Sequence, residues 1–93
     1  MKAIITTVGQ DQVGIIAGVS NYLAKQHINI LDVSQTIMNG FFTMMMLVDL
    51  AEDADFAALT EDLSQLGQEL GVDINIRNEK VYAAMHELSG GLD

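Results

Sequence analysis

Seven residues near the start of the chain, Gly9-Gln10-Asp11-Gln12-Val13-Gly14-Ile15, have the types and spacing suited to holding a small molecule. Two glycines flank an acidic residue where an apolar strand should turn into a helix. Lacking a Cβ, each glycine leaves its main chain open to close approach, by a ligand or by a neighbouring backbone. Gly14 favours the packing use, with ligand approach as a further one. Asp11 is placed to cap the helix, its carboxylate accepting from the first free N–H groups; the same carboxylate could instead face a ligand. The set holds no nucleophile, no general base and no metal cluster. It suits binding, and no enzyme activity is expected.

The remaining candidates for chemistry are few. His27 and Lys25 fall near the end of the first predicted helix, where positive charge is favoured, and His27 has no partner at metal-ligand spacing. His86, Glu87 and Glu79 could gather round a metal, but a solvated tail helix accounts for them, so neither metal nor cofactor is expected. There is no cysteine, which removes disulfides and thiolate metal sites and fits a reducing cytoplasm. The apolar run from Met1 to Val8 is far short of the about 20 residues of a membrane span, and it does not read as a signal peptide.

Charge narrows the partners. Thirteen acidic residues stand against four basic ones, a net charge of −9. Nucleic acid is bound by Lys and Arg that displace counterions, and here Lys2, Lys25, Arg77 and Lys80 are scattered, so nucleic acid is not an expected partner. The acidity reads as a solubility device. With 93 residues the chain is one small domain, burying about 60–65% of the surface exposed on unfolding. Its 49% apolar content exceeds what one small core needs and hints at a buried subunit interface.

The elements that would position the glycine-rich turn follow from periodicity. Lys2–Val8 is a predicted strand rich in β-branched residues. A helix is predicted from about Val13 to Gln26, with Ile15, Ile16, Val19, Tyr22 and Leu23 inward. A second strand covers roughly Ile28–Met38; its apolar phase slips near Leu31, which predicts a bulge. Asn39-Gly40 then marks a hairpin. The third strand, Phe41–Leu50, is apolar on both faces, so both should be covered, one by helices and part of the other by a partner subunit. Asp53 or Asp55 caps a second helix whose stripe is Phe56, Leu59, Leu63, Leu66 and Leu70, stopped by Gly71. Val72, Ile74 and Ile76 alternate with polar residues in a fourth strand, and Lys80–Leu88 reads as a short amphipathic helix with Val81, Met85 and Leu88 inward. The predicted fold class is α+β: a ferredoxin-like βαββαβ sandwich, its four-stranded antiparallel sheet carrying two helices on one face, plus a short C-terminal helix.

The βαββαβ order, the Gly9…Asp11…Gly14-Ile15 turn and the Asn29-Ile30 pair opening strand two resemble an ACT domain. The resemblance covers nearly the whole chain and assigns residues 1–78 to the domain and 79–93 to a C-terminal tail. Val81-Tyr82-Ala83-Ala84-Met85-His86 is similar to the tail of a small family of stand-alone single-ACT proteins in bacteria and archaea. The resemblance implies a regulatory module that binds an amino acid, usually at a dimer interface, with ligand held between the first loop and the start of strand two and often by residues of both subunits. By position the implied site residues are Asp11, Gln12, Val13, Gly14 and Ile15 of the loop, and Asn29, Ile30 and Leu31 of the strand. Loop amides and the helix N-terminus would attract a carboxylate, Asp11 would pair with an α-ammonium, and the Asn29 amide would serve either group. Many members carry an Arg-Pro pair before the second glycine; this chain has Gln12-Val13, so its loop supplies no basic residue. The implied protein is a cytoplasmic homodimer, or a higher homo-oligomer, that senses an amino acid. The alternative is a protein–protein interaction module without a ligand.

Overall fold

The computed structural model describes residues 1–10 and 12–80. Six elements follow in order: β1 (Lys2–Gln10), α1 (Ile15–Lys25), β2 (Asn29–Met38), β3 (Phe41–Asp49), α2 (Phe56–Leu70) and β4 (Val72–Asn78). The strands form one sheet in the order β2-β3-β1-β4, with every neighbouring pair antiparallel. This is the ferredoxin-like βαββαβ sandwich expected from the periodicity. The tail helix expected over Lys80–Leu88 lies outside the described residues from Val81 onward.

β1 runs through the middle of the sheet, and its alternation sorts the two faces. Ala3, Ile5 and Thr7 are fully buried beneath the helices, whereas Ile4, Thr6 and Val8 point the other way. β3 repeats the pattern: Phe42, Met44, Met46 and Val48 are buried, but Phe41 and Met45 stay exposed. Among the described residues, then, only one face of β3 is covered. Leu31 is the residue left out of register between the Ile30 and Asp32 pairings, so the phase slip is a bulge. The β2–β3 turn places both Asn39 (φ 52°) and Gly40 (φ 80°) in the left-handed region that a type I′ hairpin needs.

The helices are tied down at identifiable residues. α1 buries Ile15, Val19 and Leu23, a single line of four-residue steps. Ile16, expected inward, is 46% exposed, because it sits a further 100° round a helix whose contact stripe is narrow. Past its end, His27 (φ 57°) donates its N–H to the Ala24 carbonyl (3.1 Å) and Ile28 donates to the Leu23 carbonyl (2.9 Å). This is a Schellman closure with histidine in the place usually held by glycine. Asp55, not Asp53, caps α2: its carboxylate accepts from the Ala58 N–H at 3.0 Å. α2 lies close over β4, where a Cβ on Gly67 would stand 2.6 Å from the Val72 carbonyl oxygen.

Candidate functional site

β1 continues two residues further than the sequence suggested, to Gln10, and the helix begins two residues later, at Ile15. The turn between them is therefore short. Gly14 occupies the N-cap position with φ 96°, a conformation that strains any residue bearing a Cβ. Its Cβ position has no atom of the described residues within 4 Å, so it is the positive φ, not close packing against them, that calls for glycine there. Gly9 is the reverse case. A Cβ there would lie 2.6 Å from Val72 Cγ1, so this glycine serves strand packing and does not open the main chain to a ligand. Gly14, at the cap, has no side chain to contribute, and the cap expected from Asp11 falls on a residue outside the described set.

The other loop candidates divide by task. Gln12 reaches away from the turn, its Nε2 donating to the Leu70 carbonyl at 2.5 Å. That bond ties the loop to the last turn of α2 and satisfies a carbonyl that the helix itself leaves free. The Ile15 side chain is 2% exposed and belongs to the core, so only its backbone N–H can face a ligand. Val13, by contrast, is fully solvent-exposed. The first helical bond runs from the Gly18 N–H to the Gly14 carbonyl (2.8 Å), which leaves the Ile15, Ile16 and Ala17 N–H groups outside the helical ladder. These donors are what the site offers an anion.

The strand-two candidates sit elsewhere. Asn29 pairs with Asp49, which pairs with Lys2, whereas the loop follows Gln10 at the other end of β1. α1 connects the two ends, and its 11 residues span about 16 Å. Within one subunit the loop and Asn29 are therefore not brought together. Topology already implied this, because a helix joining two strands starts at the end of one and finishes at the start of the next. Asn29 and Leu31 are exposed, and Ile30 packs against the core. Near Asn29 the Met1 ammonium donates to the Leu50 carbonyl (2.9 Å) and to Glu52 Oε1 (3.0 Å), with Asp49 Oδ1 at 3.6 Å. The Glu52 hydrogen bond, helped by both negative charges, raises its pKa. Behind this end, the Tyr22 hydroxyl donates to Asp62 Oδ2 at 2.8 Å and links α1 to α2. Burial, reinforced by that bond, raises the phenol pKa from its ordinary 10.0. No cluster of three or more His, Cys, Asp or Glu among the described residues could hold a metal ion, and no described helix is long and apolar enough to cross a membrane.

A two-layer α+β domain in which a four-stranded antiparallel sheet and two helices follow in βαββαβ order belongs to the ferredoxin-like class. The chain belongs to the ACT domain family, whose model matches residues 2–77. ACT domains are typically ligand-binding regulatory domains; they commonly dimerise and bind small molecules such as amino acids. A UPF0237 protein of Bifidobacterium longum is 51% identical over 88 residues, covering 94% of this chain and 98% of its own length. One from Methanopyrus kandleri is 47% identical over 88 residues, with the same coverage of both chains. Among solved structures, an ACT domain protein from Streptococcus pneumoniae matches with a TM-score of 0.81 at 46% identity, over 88% of this chain and 93% of its own. The ligand-free regulatory subunit of aspartate kinase from Thermus thermophilus matches at 0.64 and 29% identity, over 83% of this chain and 50% of its own.

Proposed function

We infer that this protein is a cytoplasmic amino-acid sensor that works as a homodimer, with each site completed by both subunits. One observation carries the reading. The loop and Asn29 lie at opposite ends of the sheet, and β2, an edge strand in the order β2-β3-β1-β4, has no partner on its outer side among the described residues. If two β2 edges pair antiparallel about a two-fold axis, the Asn29 end of one strand meets the Met38 end of the other. Met38 pairs with Phe41 and Phe41 with Gln10, so that end is the loop end. Asn29, Ile30 and Leu31 of one subunit then approach Asp11, Gln12, Val13, Gly14 and Ile15 of the other. The free amides of the α1 N-terminus receive the ligand carboxylate. Asp11 and the facing Asn29 take the ammonium.

Function follows from this division of the site. A ligand bridging two subunits binds the dimer in preference to the monomer, and so shifts the population toward it. A regulated protein would read that shift. The acidic surface and the absence of paired catalytic groups in the loop favour this role over catalysis or nucleic-acid binding.

Thermal stability screened against the twenty amino acids at millimolar concentration is the first test. Ligand at 100 times its Kd should add about 2.7 kcal/mol. Complementation is the sharper one. Asn29→Ala and Gly14→Leu should each abolish ligand binding, and mixing the two variants should restore one working site in every mixed dimer. Two variants that stay silent after mixing would refute the shared site. A flat screen on folded, dimeric protein would favour the ligand-free interaction module.

A further inference from the structure

Among the described residues, the helix layer stops short of β2. Ile37 of β2 pairs directly with Phe42 of β3, and Val33 with Met46. Residues directly opposite in an antiparallel ladder share a face, so Ile37 and Val33 lie on the side that carries the helices. Phe42 is nevertheless buried and Ile37 56% exposed; Met46 is buried and Val33 45% exposed. The placing of the helices accounts for this step. α2 lies over β4, at the far edge of the sheet. It meets α1 along Gly18, where a Cβ would stand 2.9 Å from Leu70 Cδ1, and along Tyr22, which is bonded to Asp62. At about 3.6 residues per turn, Ile16 falls on the other flank of α1, the flank toward β2. Ile16 and Ile37 therefore border the same uncovered margin. They also share an end of it. Ile16 is in the first turn of α1, and Ile37 lies in one row with Phe42 and Gly9, next to the row of Gln10 from which the loop departs.

We propose that this margin selects the ligand: the site takes an amino acid with an aliphatic side chain, which lies against Ile16 and Ile37. The inference rests on the amino-acid-sensor reading above and narrows it. Ile16 supplies one of the three free N–H groups at the start of α1, so a carboxylate held on those amides sets the ligand's side chain beside that first turn. Val13, the residue before the Gly14 cap, is also apolar and fully exposed. None of these side chains brings a hydrogen-bonding group, and the loop contains no basic residue. A polar or acidic ligand side chain would lose water there and find no partner, whereas an aliphatic one is driven in by the loss of water itself. Val33 is not assigned to the ligand. It lies at the middle of β2, beside the two-fold axis of the dimer proposed above, where the second copy covers it.

Isothermal titration of the full-length protein with alanine, 2-aminobutyrate and norvaline lengthens the ligand by one carbon at a time. Each added carbon should tighten binding about four-fold, the worth of one buried methylene. Serine should bind no more tightly than alanine, because its hydroxyl meets no partner. Ile16→Ser and Ile37→Ser change positions that are about half exposed, so the fold should tolerate both. Each should flatten the series, weakening norvaline far more than alanine. A flat series on the unsubstituted protein would overturn the aliphatic site while leaving the amino-acid sensor standing. So would serine or aspartate binding more tightly than norvaline. A steep series that neither variant flattens would take the ligand away from Ile16 and Ile37 and equally overturn the proposal. If no amino acid binds the folded dimer, the sensor reading falls and this inference falls with it.

Discussion

Replacing Thr7 with valine should make this protein more stable. Thr7 is in the centre of β1, paired with Met44 on one side and Ile74 on the other, and it faces the helices. Its relative exposure is 0%, and its Oγ1 has no hydrogen-bond partner among the described residues. A buried hydroxyl without a partner costs about 1–3 kcal/mol of desolvation, and valine keeps the shape while removing that cost. At about 4–8 °C per kcal/mol for a domain of this size, a gain of about 1 kcal/mol is easily measured by calorimetry. Protein concentration must be held fixed, because on the proposed reading the protein is a dimer, whose melting temperature depends on it. Thr6→Val is the internal control. Thr6 points to the opposite face and is only half-buried, so its substitution should change stability by no more than about 0.5 kcal/mol. If Thr7→Val instead melts lower while Thr6→Val is neutral, the hydroxyl is donating to a group in the core, and the reasoning fails.

Two further outcomes test the helix ends. His27→Gly should stabilise by about 0.5–1 kcal/mol in chemical denaturation, because the left-handed backbone at φ 57° costs a residue with a Cβ about 1–2 kcal/mol, partly offset by glycine's freedom when unfolded; a loss would mean that the imidazole itself contributes to the fold. Tyr22, whose folded pKa is raised above 10.0, adds stability that is complete below that pH and is lost as pH climbs from there toward the folded value. Melting curves of the unsubstituted protein and of Tyr22→Phe should therefore converge as alkalinity increases, and curves that stay parallel would count against the Tyr22–Asp62 link.

Periodicity made most of the architecture legible because each element buries one regular face. The Phe56–Leu70 helix, the alternation of Val72, Ile74 and Ile76, and the Asn39-Gly40 hairpin all depend on local patterns, and each stands where the pattern put it. The slip at Leu31 was readable for the same reason: a bulge reverses which residues face the core. What escaped were features set by groups distant in sequence. Gly9 is glycine because Val72 lies against it, and Gln12 turns aside because the Leu70 carbonyl is free. Neither partner can be inferred from a loop's own composition. Ile16 shows a further limit, since an apolar residue beside an inward line reads as core until the width of the contact is known.

The loop's structural duties narrow the chemistry left for a ligand. Gln12 is committed to α2 and the Ile15 side chain to the core, and the segment contains no basic residue. An anionic group must then be held by backbone amides and the helix dipole, with a charge-assisted contribution but no side-chain counter-ion. Such a site is weak on its own. On the proposed reading it gains strength only when the second subunit supplies Asn29, which couples occupancy to assembly more tightly than a self-sufficient pocket would. A loop bearing an arginine could hold its ligand in the monomer and would give up part of that coupling. Introducing one, as Gln12→Arg, should therefore raise affinity while weakening the dependence of binding on protein concentration. It also removes the Leu70 bond, so Gln12→Ala is the matched control for lost stability. Titrations of both variants at two protein concentrations separate these effects: an arginine that tightens binding equally at both would leave the concentration dependence intact and refute the predicted uncoupling.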